Sequence, residues 1–252
     1  MTEQTATRNM RLRETSHQAN AIRSHYYDKS WGLVVGINDY RGEHPTLANA
    51  RNDAVAFANL LRVSYQFDEV ITLYDAEATC DTLMAWLRDR LPSQVGKNDR
   101  LVIFFAGHGT TRESGLGEKR GYLIPHDAQA GKYADYVDMS ELRDACGWIS
   151  AKHILLILDC CFSGVAAVTS RAAPPVEQRV MTDAYLQEIT RRSAWQVLTA
   201  GASDELAADS GDRPGHSAFT SALLAGLEGQ ADQNRDGIIT ASELAGFVKP
   251  EV

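Results

Sequence analysis

Cysteine is scarce. The 252 residues hold four, Cys80, Cys146, Cys160 and Cys161, spaced neither like a zinc site nor like a disulfide framework, so the chain reads as a protein of a reducing, cytoplasmic compartment. Long hydrophobic runs are missing too: Ile154 to Leu158, flanked by His153 and Asp159, falls far below the roughly 20 residues that cross a bilayer. The polar stretch 1–29 lacks the apolar segment of a secretory signal, and no membrane partner is expected. Positive charge is in deficit, with 25 Lys and Arg against 33 Asp and Glu and a net charge of −8. A nucleic-acid-coating function needs a basic face, so it is not expected here.

What is present is ordinary globular material, 44% apolar and 23% charged, enough for one domain with a self-sufficient core. Short apolar runs alternate with longer amphipathic stretches, the pattern of βα units that build a mainly parallel α/β sheet. Strands are expected over 31–37, 70–74, 100–106, 153–158 and 195–200. Helices are expected over 46–63, over 79–91 with Pro92 as its end, over 138–148 behind an Asp138–Glu141 capping box, and over 217–227. The glycine-rich segment 107–121 reads as a loop or hairpin. Residues 165–192, with Pro174, Pro175 and four arginines, read as an exposed linker.

Two segments carry reactive side chains, Phe104-Phe-Ala-Gly-His-Gly109 and Leu156-Ile-Leu-Asp-Cys-Cys-Phe-Ser-Gly164. Each places them just past the carboxyl end of an apolar strand, where open α/β sheets bind ligands. An imidazolium beside a thiol lowers its pKa and later protonates a leaving amine, so Cys plus His suffices for acyl transfer. Glycines on both sides of His108 allow a tight turn and close approach of a peptide backbone.

Gly-His-Gly after one strand, then Asp-Cys-Cys-Phe-Ser-Gly 53 residues beyond the histidine, resembles the caspase superfamily of clan CD cysteine peptidases, and within it the bacterial-type metacaspase-like branch. Gly36-Ile-Asn-Asp-Tyr40 and Asn52-Asp-Ala54 extend the resemblance over roughly 31–228. It implies a caspase-like fold and a cysteine endopeptidase with His108 as general acid/base and Cys161 as nucleophile. It also implies an oxyanion hole of the Gly109 and Cys161 backbone N–H groups and a thioester acyl-enzyme. Cys160 stands where the metacaspase pattern has Ser, Phe162 where it has His, and Ala106 where it has a serine two residues before the histidine. Asp53 and Asp159 match two acidic positions that hold a basic P1 side chain in metacaspases. The expected partners are therefore protein or peptide substrates cleaved after Arg or Lys, together with a regulatory partner protein. Arg51, beside Asp53 in sequence, leaves Asp specificity open, and a catalytically silent caspase-like scaffold is the reading from another class.

The caspase-like unit is expected over 30–228, in a large-subunit-like part 30–164, the linker 165–192 and a small-subunit-like part 193–228. It follows a polar arm, 1–29. In the linker, Arg171, Arg179, Arg191 and Arg192 suit self-processing. No cofactor is expected for the chemistry.

The remaining stretch, 229–252, contains Asp232-Gln-Asn-Arg-Asp-Gly-Ile-Ile-Thr-Ala-Ser-Glu243, which fits a twelve-residue EF-hand loop. Asp232, Asn234, Asp236, Thr240 and Glu243 would supply oxygens, Ile238 its carbonyl, and Gly237 the sharp turn. Calcium is the ion this loop would take, and no second loop accompanies it.

Overall fold

The computed structural model describes residues 26–160, 193–200 and 211–248. In chain order its strands are β1 (Ser30–Gly36), β2 (Glu69–Tyr74), β3 (Arg100–Ala106), β4 (Gly109–Glu113), β5 (Lys119–Leu123), β6 (Val137–Asp138), β7 (His153–Asp159) and β8 (Ala194–Thr199). Its α-helices are α1 (Ala50–Val63), α2 (Cys80–Ala85), α3 (Leu91–Gln94), α4 (Met139–Trp148), α5 (Ala218–Ala225) and α6 (Ala241–Val248). Five strands form one parallel sheet in the order β2-β1-β3-β7-β8, and β4-β5-β6 form a small antiparallel sheet beside it. The glycine-rich segment after β3 is thus a hairpin.

Side chains of successive strand residues point to opposite faces, and this alternation decides what each helix meets. On one face Leu33, Val35, Ile103, Phe105, Leu156, Leu158 and Cys160 pack with Leu83, Leu87, Leu91, Leu142 and Cys146. On the other, Val34, Phe104, Ala106 and Ile157 pack with Ala54, Phe57 and Leu61 of α1 and Phe219 and Leu223 of α5. β1 ends in glycine beneath α1 for a reason: a Cβ at Gly36 would stand 2.5 Å from the Ala54 Cβ and 2.8 Å from the Ala50 carbonyl oxygen. That close approach sets α1, and with it Asp53, down on the carboxyl end of the sheet. Asp159 closes β7 in the same alternating row as Ile157, so it lies under α1 and α5.

Several local expectations are corrected. α1 begins at Ala50 rather than residue 46, because Asn38 pins its start by accepting from the Arg51 N–H at 2.9 Å. Pro92 does not end the second helix. α2 runs through a π-helical stretch, Trp86–Arg90, into α3, and the wider π turn just before Pro92 lets the chain pass a residue that offers no N–H. At α4, Asp138 caps through the Ser140 N–H at 2.7 Å, but Glu141 does not reach back. It pairs instead with Arg88 at 3.1 Å, so only half of a capping box forms.

The chain's last described stretch is built into this core. Leu244 and Val248 of α6 belong to the cluster under α1 and α5, a Cβ at Gly226 would meet Leu244 and Phe247 at 3.0 Å, and the Tyr65 hydroxyl of the loop after α1 donates to the Leu227 carbonyl at 2.8 Å.

Candidate active site

β3 and β7 end in register. Ala106 stands opposite Asp159, and the Gly107 N–H donates to the Asp159 carbonyl at 3.2 Å. His108 follows two residues past this rung, held at both its backbone and its ring. Its N–H donates to the Tyr40 hydroxyl oxygen at 2.7 Å, and Nε2 stands 2.7 Å from the Pro45 carbonyl oxygen. A carbonyl only accepts, so Nε2 carries the hydrogen and Nδ1 is left as the basic nitrogen. Gly107 is required where it is, because a Cβ there would lie 2.8 Å from the Tyr40 oxygen. Burial pushes the Tyr40 phenol far above its ordinary pKa, so it stays neutral. The His44 ring lies 6.2 Å from that of His108, and burial, then the charge of His108, lowers the pKa of His44. Gly109 opens β4 directly after the histidine.

Cys161, assigned as nucleophile, lies outside the described residues, as does the linker 165–192. Cys160 is a different kind of cysteine. It is 2% exposed and packs among Leu158 and Phe105 on the far face of the sheet.

Asp53 and Asp159, from α1 and β7, meet under the amino terminus of α5. Both are buried, at 1% and 7% exposure. Ser217 bridges them: its N–H reaches the Asp53 oxygens at 3.3 and 3.4 Å and its hydroxyl donates to Asp159 Oδ2 at 2.6 Å. The Thr220 hydroxyl donates to the same Asp159 oxygen at 2.6 Å, and His216 Nδ1 contacts Asp53 Oδ1 at 2.6 Å. Burial first, and then the neighbouring charge of Asp159, pushes the Asp53 carboxyl above the ordinary range to about 6, against the lowering effect of His216 and Ser217. The arrangement is a desolvated acidic site at the positive end of the α5 dipole, which favours negative charge there. Arg51 does not enter it. It pairs with Asp75 at 3.3 Å, whose carboxylate also accepts from the Asn38 and Asp39 N–H groups.

In the 232–243 loop, Arg235 and Gly237 take positive φ, 60° and 81°. Asp232, Asn234 and Asp236 turn their oxygens onto the loop's own amides: Asp232 accepts from Asp236 and Gly237, Asn234 from Asp236, and Asp236 from Ile238. Glu243 turns away, accepting from the Thr240 N–H and hydroxyl at 2.9 and 2.8 Å while Thr240 Oγ1 accepts from the Glu243 N–H. That reciprocal pair is a capping box for α6. Among the described residues no three His, Cys, Asp or Glu side chains converge as a metal centre requires. The oxygen donors suit calcium chemically, but Glu243 must leave Thr240 to join them.

A five-stranded parallel sheet in this order, with a histidine and a buried aspartate at neighbouring strand ends, is the frame of a caspase-like α/β protein. The family comparison agrees: the caspase domain model matches residues 29–244, and the chain belongs to that family. Among solved structures, the crystal structure of protein GSU0716 from Geobacter sulfurreducens is similar at 17% identity and a TM-score of 0.56, covering 79% of this chain and 82% of that one. No curated protein matches the sequence. Among the described residues no helix is long and apolar enough to cross a membrane.

Sequence reasoning missed His216, Thr220 and the Pro45 carbonyl. Ser217 was legible only as the first residue of an expected helix, and Tyr40 only as part of the Gly36–Tyr40 motif. A backbone carbonyl has no sequence signature, and the partners of the buried carboxylates come from segments 58 to 164 residues away in the chain.

Proposed function

We propose that this chain is a cysteine endopeptidase of the metacaspase type that cleaves proteins after Arg or Lys. The observation that carries the proposal is the buried Asp53–Asp159 pair beside His108 at the carboxyl edge of the sheet. A guanidinium or ammonium entering there gains charge-assisted hydrogen bonds in a desolvated setting, whereas a P1 aspartate would add a third negative charge.

In the proposed reaction, His108 Nδ1 takes the proton of Cys161, and the thiolate attacks the carbonyl carbon after P1. The Gly109 and Cys161 N–H groups hold the oxyanion, His108 returns the proton to the leaving amine, and water then hydrolyses the thioester with His108 as base. The Nε2–H bond to Pro45 supports this assignment because it fixes the tautomer and aims the ring. The burial of Cys160 in the opposite core supports Cys161 as the nucleophile. Cuts in 165–192 after Arg171, Arg179, Arg191 or Arg192 are part of the same proposal. Calcium, when bound, would be held by Asp232, Asn234, Asp236, Thr240, Glu243 and the Ile238 carbonyl, and would stiffen the loop that joins α5 to α6.

Fluorogenic peptides with P1 Arg, Lys or Asp test the reading. Turnover of Arg and Lys peptides is expected, with a loss of roughly 10⁴-fold or more in kcat for Cys161→Ala and for His108→Ala, while the melting temperature barely moves. Turnover of Asp peptides alone would overturn the pocket assignment, and folded protein inert with and without calcium would favour the scaffold reading.

A further inference from the structure

Neither acid of the pocket is bare. Asp159 is satisfied from below by two hydroxyls of α5, and the position of Asp53 in α1 is fixed from behind by Gly36. The contact on Asp53 that differs in kind is His216, whose side chain retains 20% exposure against 1% for Asp53. It is carried by the loop before α5, between Gly215 at φ +81° and the helix cap Ser217, rather than by a strand or helix. The imidazole therefore covers Asp53 on its solvent side and uses the Oδ1 atom that an incoming cation would use.

We propose that His216 is a specificity-determining residue of this pocket, the internal occupant of Asp53 that a cationic P1 side chain displaces. The proposal rests on the reading of Asp53 and Asp159 as the P1 site. Displacement has a chemical logic. A buried carboxylate that loses its shortest hydrogen bond and keeps only the longer ones from the Ser217 N–H is left poorly satisfied, so an empty pocket keeps His216 in place. A guanidinium offers a forked pair of N–H donors and a fixed charge, and it can satisfy Asp53 while also meeting Asp159. A neutral P1 side chain offers neither and leaves the histidine where it is. Discrimination against neutral P1 residues thus comes from an occupied pocket as well as from an attractive one.

The test uses the full chain with His216→Ala and His216→Asn, at pH 8, where Asp53 is ionised. Removing the occupant is expected to lower KM for P1 Arg peptides roughly five- to tenfold, with a smaller change for the shorter hydrogen-bonding reach of P1 Lys. Free imidazole at millimolar concentration should raise KM of His216→Ala back toward the wild-type value and leave wild type unaffected. A purely structural role for His216 would move neither quantity in this way. If KM for P1 Arg is unchanged or rises in both folded variants, the proposal is overturned, and His216 instead orients Asp53. If wild type turns over no P1 Arg or Lys peptide, what fails is the reading of the pocket itself, which the wild-type assay reports separately.

Discussion

Two acidic clusters in this molecule are built in opposite ways. The Asp53–Asp159 pair is assembled from a helix, a strand end and a helix cap far apart in the chain, and its donors are side chains and an N–H contributed by other elements. The 232–243 cluster is contiguous, with Asp232, Asn234 and Asp236 partly buried and Glu243 buried, and its carboxylates accept from amides of the same loop. The first holds its charges at a cost, seen in the raised Asp53 carboxyl. In the second, Asp232 and Asp236 are only partly buried, and backbone N–H groups of the same loop donate to each acid, the buried Glu243 included. Burial plus remote donors makes a site selective for a cationic group of fixed shape, whereas a self-satisfied loop must be reorganised by its ion.

The largest effect should come from neutralising the assembled pair. Asp159→Asn or Asp53→Asn is expected to lower kcat/KM for P1 Arg peptides roughly 10²- to 10³-fold, the scale of breaking one side of a buried charge pair. Asp232→Asn should leave P1 preference within about twofold, since exposed or loop charges couple weakly. Comparable losses at both positions would erase the distinction between the clusters.

A pH series sharpens it. Folding raises the Asp53 carboxyl above its unfolded value, so between the ordinary carboxylate range and about 6 the folded state binds more protons than the unfolded one. The stability contribution of this group is therefore present at low pH and lost as pH rises through that window. Over the same window KM for P1 Arg should fall as Asp53 ionises, by up to about tenfold per pH unit below 6. Asp53→Asn should flatten both the urea-midpoint profile and the KM profile, while Asp236→Asn should leave both intact.

The smallest effect belongs to the loop. Calcium titrated into the whole protein should bind in the range of isolated, weakly preorganised sites, a Kd of about 10⁻⁴–10⁻³ M. Saturating ion should raise the melting temperature by a few degrees through mass action. Glu243→Gln should abolish the calcium response while costing only about 1 kcal/mol or less of stability without calcium, because glutamine keeps the capping-box geometry at α6. A calcium response that survives in Glu243→Gln would place the ion elsewhere.

Much of the frame was legible from local pattern. The five strands of the main sheet, the hairpin after β3 and the Asp138 cap follow from periodicity of two and from capping chemistry, which act over a few residues. The misjudged boundaries were those decided by distant partners: the start of α1 set by Asn38, and Glu141 drawn off by Arg88. Pro92 shows the same limit in reverse, since a π-helical stretch upstream lets a helix continue where local sequence argues for an end.

Residue identity and spacing were enough to place His108 and Asp159 at neighbouring strand ends, to mark the twelve-residue oxygen-rich loop and, through the motifs, to show the likeness to caspase-type peptidases. Each is a local property, fixed by residue identity and spacing. Long-range packing settled the rest: Asp53 and Asp159 share one buried site, Ser217, Thr220 and His216 donate to it, Pro45 sets the His108 tautomer, and Arg51 faces Asp75 instead. Those outcomes depend on how helices seat on the sheet, through the glycine that ends β1 and the alternation of β7, and a carboxylate deprived of water takes whichever donors that packing brings within reach.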